Sequence, residues 1–203
     1  MRVTREQAAI NRERVLHQAA EMFREHGIDS VSIADVMKSA ELTHGGFYKQ
    51  FDSKEALARE ACSRGLAQSI GALYDTAAAA PANPLRRVAE AYLSAEHRTS
   101  AGSGCTLSAL AADAGRGSPE LQEVFAKGAI AMARALHEIA GRTAEGAAAP
   151  PAPAEQDLPD FALLSSLVGA VILARAVGAA RPALADRILA DTLNPIAGAE
   201  KKP

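Results

Sequence analysis

Apolar residues recur at spacings of three and four along most of the chain, a pattern typical of amphipathic helices. The first stretch, residues 5–25, carries one apolar stripe and is followed by Gly27, a residue that commonly ends helices. The same spacing predicts further helices at 54–76, 84–98, 105–115, 119–142, 160–178 and 182–192. Alanine is abundant and β-branched residues are scarce, which also favours an all-α fold.

Two short helices are predicted between the first and second long stretches. Ser32 can cap one of them, because Asp35 stands at the reciprocal position of a capping box. Thr43 can cap the next, with Leu42 placed to contact Phe47 one turn into that helix. Two short capped helices separated by a turn form a helix-turn-helix.

The second of these short helices has an unusual composition. Gly45 and Gly46 each disfavour a helix by about 1 kcal/mol relative to alanine, which makes sense if a bare backbone must approach another surface. The major groove of DNA is such a surface. Tyr48 and Lys49 would then offer a hydroxyl and a cation to phosphates, and Lys54 stands at the N-terminus of the next helix, where anions bind.

Residues 32–57, SIADVMKSAELTHGGFYKQFDSKEAL, resemble the DNA-binding signature of the tetracycline-repressor (TetR) family. The resemblance implies a three-helix DNA-binding domain at residues 1–52. From their residue types, their positions in the helix-turn-helix and the resemblance to the family, we expect the following residues to contact DNA: Ser32, Thr43, His44, Gly45, Gly46, Tyr48, Lys49 and Lys54. Within this set, we expect His44 to reach base edges, because it is near the start of the recognition helix.

Two positions depart from the family pattern. Glu41 stands where the family usually has glycine in the turn, and Gln50 replaces the usual histidine or tyrosine. A left-handed backbone at Glu41 would destabilise the turn by about 1–2 kcal/mol.

Residues 53–203 are expected, from the resemblance, to form a helical ligand-binding and dimerisation domain. Within it, residues 143–157 are rich in proline and alanine and predict a mobile connection. A ligand wedged against the long helix that begins at Ser53 would tilt it and change the spacing of the two recognition helices. The expected ligand-contacting residues are mostly apolar with a few polar tips: Tyr74, Tyr92, Cys105, Leu110, Phe125 and Met132.

The longest apolar run, residues 161–174, is too short to span a bilayer and predicts a core or interface helix. The family pairs its last two helices with those of a second subunit, so we expect a homodimer whose interface is built from 160–178 and 182–192. The expected interface residues are Leu164, Leu167, Val168, Val171 and Ile172.

Cysteine usage suits a reducing compartment, since only Cys62 and Cys105 are present. Cys62 lies on an apolar stripe and is expected in the core. Cys105 begins a predicted helix after a glycine-rich turn, where a thiolate is favoured. It is either a sensor of oxidants or electrophiles, as in some regulators of the family, or a small buried apolar residue.

Charge, the N-terminal residues and the histidines limit which partners and sites the chain is expected to have. The net charge is −2, and residues 1–60 carry nine Lys and Arg against ten Asp and Glu, so any DNA-binding surface must be local. The polar N-terminus is unlike a secretory signal, which favours the cytoplasm and no membrane partner. The five histidines form no ligand cluster, and we expect neither a metal nor a cofactor.

These features predict a regulator, most simply a repressor, released from a palindromic double-stranded DNA operator by a small hydrophobic effector. The alternatives are a thiol-based sensor through Cys105, a DNA-binding protein without an effector, and a cysteine-dependent enzyme using Cys105 with His97 or His137. No nucleophile elbow, phosphate loop or metal motif supports an enzyme.

Overall fold

The computed structural model describes residues 4–141 and 158–198, and every regular element in those ranges is a helix. The predicted all-α fold is confirmed. The predicted connection 143–157 lies outside the described residues. The helices, in chain order, are α1 Arg5–His26, α2 Ile33–Ser39, a 3-10 helix His44–Lys49, α3 Lys54–Ala78, α4 Pro84–Tyr92, α5 Ala95–Thr99, α6 Thr106–Arg116, α7 Pro119–Gly141, α8 Ala162–Gly178 and α9 Pro182–Gly198.

The described helices group into two compact units. The first contains residues 4–67 and 101–125, which include α1, α2, the His44–Lys49 helix and α6. The second contains residues 68–100, 126–141 and 158–198, which include α4, α5, α8 and α9. These units are defined by packing alone, so the functional division after residue 52 stays a prediction.

The core of the first unit is built on the apolar stripe of α1. Val15, Ala19 and Phe23 are completely buried, as their spacing predicts. Gly27 ends the helix in the left-handed region at φ +83°, and its N–H donates to the carbonyl of Phe23 at 2.8 Å. A side chain would be strained in that conformation, which explains glycine at this position.

In the second unit, α8 and α9 pack against each other. Leu167, Val171 and Ala174 of α8 are buried, as are Ala185 and Leu189 of α9. The apolar run predicted from the sequence therefore forms part of the core of a single chain.

The helix predicted at 84–98 is wrong in one respect, because the structure divides it into α4 and α5. Ser94 starts the new helix, since its hydroxyl accepts a hydrogen bond from the N–H of His97 at 3.1 Å. The His97 ring then lies 2.7 Å, through Nδ1, from the carbonyl oxygen of Tyr92, the last residue of α4. Local side-chain bonds thus compete with continuation of the helix.

Arg175 of α8 fixes α5 in the second unit. Its Nη2 donates to the carbonyl of His97 at 2.7 Å, and its Nε donates to the carbonyl of Arg98 at 3.1 Å. Arg98 in turn pairs with Asp186 of α9 at 3.0 Å. A cation beside the last carbonyls of a helix satisfies acceptors that have no partner within the helix.

Candidate nucleic-acid interface

The N-terminus of α2 is formed by the predicted capping box. The hydroxyl of Ser32 accepts from the N–H of Asp35 at 3.1 Å, and the Asp35 carboxylate accepts from the N–H of Ser32 at 3.2 Å. Hydrogen bonds from the Ser32 hydroxyl and then from its N–H lower the pKa of Asp35. The carboxylate therefore stays ionised where the helix dipole stabilises negative charge.

The turn after α2 has the left-handed residue that the family pattern requires. Glu41 adopts φ +55°, and within the described residues no other non-glycine residue has a positive φ. The N–H of Leu42 donates to the carbonyl of Met37 at 2.8 Å, which closes the helix end. The turn therefore closes with a non-glycine residue at its left-handed position.

The element after the turn is a six-residue 3-10 helix, His44–Lys49. Thr43 occupies its N-cap position, but the Thr43 side chain makes no capping hydrogen bond, so the predicted side-chain cap is wrong. Instead, the carbonyl of Thr43 accepts from the N–H of Gly46 at 3.0 Å. Two glycines weaken the intrinsic helix preference here, and short 3-10 helices have poorer hydrogen-bond geometry than α-helices.

The His44–Lys49 helix has an inner aromatic face and an outer polar face. Phe47 and Phe51 are buried and stacked with ring centroids 5.6 Å apart. Tyr48 is 64% exposed, and His44 and Lys49 are also exposed. The predicted DNA contacts His44, Tyr48 and Lys49 thus share the outward side of one short element, which is the geometry that base-edge and phosphate contacts need.

The two glycines have different surroundings. A Cβ added to Gly45 would meet no heavy atom within 4 Å, so this residue leaves a bare backbone on the outer face. A Cβ added to Gly46 would lie 3.6 Å from Cε of Met37, inside the protein. The argument from close approach to another surface therefore applies to Gly45 and not to Gly46.

Lys54, another predicted phosphate contact, lies at the first residue of α3. Its Nζ donates to the carbonyl of Asp29 at 3.1 Å, which ties the start of α3 to the loop before α2. The hydroxyl of Ser53 caps the same helix by accepting from the N–H of Ala56 at 3.0 Å. An ammonium has three donors, so this bond leaves donors for a phosphate.

Cross-helix ion pairs between α1 and α3 were not foreseen from the sequence. Arg12 bonds both carboxylate oxygens of Glu60, at 2.7 and 2.6 Å, and Arg64 pairs with Glu13. The partners are about fifty positions apart, so no helical spacing rule pairs them. The guanidinium carbon of Arg12 also lies 4.6 Å from the centroid of the Phe51 ring.

A family model described as bacterial regulatory proteins of the tetR family matches residues 15–61. This range runs from the core of α1 through the helix-turn-helix and into α3. Residues 15–61 therefore form a helix-turn-helix region of the tetR-family type.

Two curated relatives are similar over part of their length. The chain is 44% identical over 45 residues to YvdT of Bacillus subtilis, an uncharacterised HTH-type transcriptional regulator, which is 22% of this chain and 23% of YvdT. It is 27% identical over 96 residues to DhaR of a Mycobacterium species, an HTH-type transcriptional repressor, which is 47% of this chain and 48% of DhaR. The chain thus spans about a quarter of YvdT and about half of DhaR.

Solved structures are similar over nearly the whole chain. The reduced form of NemR from E. coli gives a TM-score of 0.69 at 22% identity, over 92% of this chain and 95% of NemR. A TetR-family regulator from Cytophaga hutchinsonii gives 0.70 at 20% identity, over 97% and 98%. RolR in complex with its ligand resorcinol gives 0.51 at 18% identity, over 98% and 97%. These likenesses show that the chain has the TetR fold.

The residues predicted to contact a ligand fall into two groups. In the second unit, Tyr92 and Met132 are buried, and half-buried Tyr74 donates to the carboxylate of Glu138 at 2.7 Å. The contact with Glu138 was not predicted, because a carboxylate on an amphipathic helix is normally expected on the solvent-facing side. The remaining predicted residues are all buried in the first unit: Cys105, Leu110 and Phe125. The ligand site stays a prediction.

The residues predicted at the dimer interface differ in exposure. Leu164, Leu167 and Val171 are buried in the core of their own chain, and Val168 is half-buried. Ile172 is 41% exposed. Two apolar residues that were not predicted, Leu173 of α8 and Leu184 of α9, are 58% and 42% exposed. The large apolar side chains of α8 and α9 that are exposed to solvent are Ile172, Leu173 and Leu184, which we group under the name outer leucine face.

The two cysteines are both buried in the first unit. Burial raises the pKa of the Cys62 thiol to about 12, against the opposing effect of the Arg24 guanidinium and with a contribution from Asp113. Cys62 is therefore a core residue with little thiolate character, as predicted. Cys105 occupies the N-cap position of α6, which is where the sequence places it.

Residues 4–141 and 158–198 contain no group of three or more His, Cys, Asp or Glu that suits a metal ion. Over the same residues, no helix combines the length and apolarity needed to cross a membrane.

Proposed function

We propose that this chain is a transcriptional regulator that binds a double-stranded DNA operator as a homodimer. The observation that carries the proposal is the outer face of the His44–Lys49 helix, where His44, Tyr48 and Lys49 are exposed within a TetR-type helix-turn-helix. Residues 15–61 carry the family match, and the rest of the chain shares the fold of regulators. Because its proposed target is an operator on DNA, the proposed location of the protein is the cytoplasm. The proposal assigns it no catalytic activity.

In this proposal the DNA contacts divide into two kinds. Lys49, Tyr48 and Lys54 contact phosphates and fix the register of the protein on the duplex. His44 and Thr43, near the start of the short helix, reach base edges, and Gly45 lets the backbone approach the groove. The net charge of −2 gives the protein no general attraction to DNA. The few cations of this surface therefore supply the electrostatic part of the binding.

The homodimer is formed through α8 and α9. The outer leucine face supplies apolar residues that are exposed in a single chain, which a second copy would cover. An isologous two-fold interface presents two identical recognition elements, so the operator is a near-palindrome with half-sites about 34–36 Å apart or a multiple of that spacing.

The second part of the proposal is repression relieved by a small, mostly apolar molecule. DhaR is described as a repressor, and RolR was solved with resorcinol, a small aromatic compound. Tyr74, Tyr92 and Met132, and Cys105, Leu110 and Phe125, are the residues proposed to contact the effector. The effector must bind the DNA-incompetent state more tightly, because equal affinity for both states would shift nothing.

The experiment that tests this function starts from a library of random duplexes. Duplexes retained by the wild-type protein are sequenced, and binding is then measured by fluorescence anisotropy at several salt concentrations. We expect enrichment of a near-palindrome and a dimer on each duplex. Retention of no sequence above background, or of sequences without two-fold symmetry, would contradict the proposal.

One other function has a specific observation in its favour. Cys105 occupies the N-cap position of α6, and the similar NemR structure is of its reduced form. In this alternative, oxidants or electrophiles acting on Cys105 release the DNA. A regulator without any effector would bind the same operator but would be released by none of the compounds tested.

A further inference from the structure

Arg12 joins three parts of the first unit. It lies on α1, bonds both oxygens of Glu60 on α3, and places its guanidinium carbon 4.6 Å from the ring centroid of Phe51. Phe51 lies two residues after the end of the His44–Lys49 helix, and its N–H donates to the carbonyl of Phe47 at 3.0 Å. A guanidinium over an aromatic face is held by the ring quadrupole, so Arg12 is fixed on both sides.

The rings continue from Phe51 to the outer face. Phe51 stacks on Phe47 with an interplanar angle of 29°. Phe47 meets Tyr48 edge-on with centroids 5.1 Å apart, and Tyr48 meets His44 edge-on at 6.4 Å. Glu60, Arg12 and these four rings form one unbroken run of contacts from α3 to the residues proposed to touch DNA, which we call the aromatic relay.

The His44–Lys49 helix depends on such outside support. It has six residues, two of them glycine, and no side-chain cap. A helix this short is not stable by itself in water, so its orientation is set by what its inner face packs against. That inner face is Phe47, stacked on Phe51, and Arg12 covers Phe51.

On the basis of the proposed function, we infer that Arg12 is a positioning residue for DNA binding. Held by Glu60, it fixes Phe51 and, through the aromatic relay, the direction in which Tyr48 and His44 point. Loss of this support lets the short helix sample orientations that do not bind. The apparent dissociation constant then rises in inverse proportion to the fraction of molecules in the competent orientation.

A direct phosphate contact by Arg12 makes opposite predictions. Glu60 would then compete with DNA for the guanidinium, and removing the Glu60 charge would strengthen binding. Removing Arg12 would lower the salt dependence of binding by about one unit. A positioning role leaves the salt dependence unchanged and makes Glu60 as necessary as Arg12.

The experiment measures binding of the selected operator duplex to Arg12→Lys and Glu60→Gln at several salt concentrations. Lysine keeps the charge but loses the planar guanidinium, and glutamine keeps the shape but loses the charge. We expect both variants to bind about threefold to tenfold more weakly with the wild-type salt dependence. The matched controls are Arg59→Lys and Glu55→Gln, which alter an exposed ion pair at 3.3 Å contained within α3. The controls should bind like the wild type.

Two further readouts separate positioning from general loss of stability. Protein labelled with 4-fluorophenylalanine should show a shifted ¹⁹F resonance for Phe51 in Arg12→Lys without DNA, and no shift in Arg59→Lys. In a double-mutant cycle, Arg12→Lys and Tyr48→Phe should be non-additive for operator binding, because both act through Tyr48. Arg59→Lys and Tyr48→Phe should be additive.

Each outcome is decisive. If Arg12→Lys and Glu60→Gln bind the operator as tightly as the wild type, the inference is overturned and the proposed function stays intact. Additive effects of Arg12→Lys and Tyr48→Phe in the double-mutant cycle have the same consequence. Tighter binding by Glu60→Gln than by the wild type makes Arg12 a phosphate contact and also overturns the inference. Failure of the wild type to select any duplex overturns the proposed function itself, and this inference with it.

Discussion

The carboxylate of Glu41 lies 3.4 Å from the guanidinium of Arg14, while the backbone of Glu41 is left-handed at φ +55°. The ion pair is exposed, with 83% of the Glu41 side chain accessible, so it stabilises the fold by less than about 1 kcal/mol. The left-handed backbone destabilises a non-glycine residue by about 1–2 kcal/mol. Backbone strain therefore outweighs the ion pair at this turn.

We expect Glu41→Gly to raise the free energy of unfolding by about 0.5–1 kcal/mol, because strain relief exceeds the lost ion pair and the greater freedom of the unfolded chain. Glu41→Ala is the control, since it removes the ion pair and keeps the strain. The measurement is urea unfolding followed by circular dichroism. A glycine variant no more stable than the alanine variant would show that the turn is not strained.

Lys49 provides a test of the DNA-contacting face. We expect Lys49→Ala to weaken binding to every duplex and to lower the salt slope by about one unit, because one phosphate contact is lost. His44→Ala should change base preference more than the salt slope. Arg87→Ala, at an exposed position of α4, is the control and should change neither. An unchanged slope in Lys49→Ala would place the short helix elsewhere on the DNA.

The sequence predicted most of the first unit, because its signals are local. A capping box and a stop at Gly27 each depend on residues within a few positions. The inward direction of Phe47 also follows from helical spacing. Patterns of this kind are decided by the backbone nearby and need no knowledge of distant partners.

The features that the sequence did not predict depend on distant or competing contacts. Arg12 finds Glu60 only when α1 and α3 are already packed. The break at Ser94 occurs because side-chain bonds to the backbone win over an otherwise continuous apolar stripe. The exposure of Leu173 depends on which side of α8 is covered by α9, and periodicity alone does not distinguish a core face from an interface face.

The exposure pattern of α8 decides which substitution best tests the proposed dimer. Val168→Asp acts on a half-buried residue and can unfold the chain, whereas Leu173 is 58% exposed. We expect Leu173→Glu to give folded monomers, because a carboxylate would be buried without a partner in the dimer. Leu158→Glu, at a residue that is 72% exposed outside α8, is the control and should stay dimeric. Sedimentation velocity measures the result, and a dimeric Leu173→Glu would exclude this face.

His97 should make stability depend on pH. Burial lowers the pKa of His97, a hydrogen bond to the Tyr92 carbonyl opposes this, and the Arg175 cation lowers it further. As the pH falls below about 6.5, the ordinary pKa of histidine, the unfolded chain binds more protons than the folded chain. Stability therefore decreases as the pH is lowered, until the pH passes the lowered pKa of His97 in the folded chain. Above that window the neutral ring has no such effect.

We expect the melting temperature of the wild type to fall more steeply between about pH 7 and pH 5 than that of His97→Gln, which cannot titrate. His137→Gln is the control, because His137 is exposed. Equal slopes for wild type and His97→Gln in differential scanning calorimetry would contradict a lowered pKa at His97.

The cysteines decide between the two proposed modes of release. The Cys62 thiol, with a pKa of about 12, is almost fully protonated at pH 8 and should resist alkylation in the folded protein.

Both cysteines are buried, so Cys62→Ser and Cys105→Ser each replace a small apolar group with a hydroxyl and should lower stability by about 1–2 kcal/mol. We expect hydrogen peroxide to release neither the wild type nor Cys105→Ser from the selected operator, measured by fluorescence anisotropy. Release of the wild type and of Cys62→Ser, but not of Cys105→Ser, would instead make Cys105 the sensor.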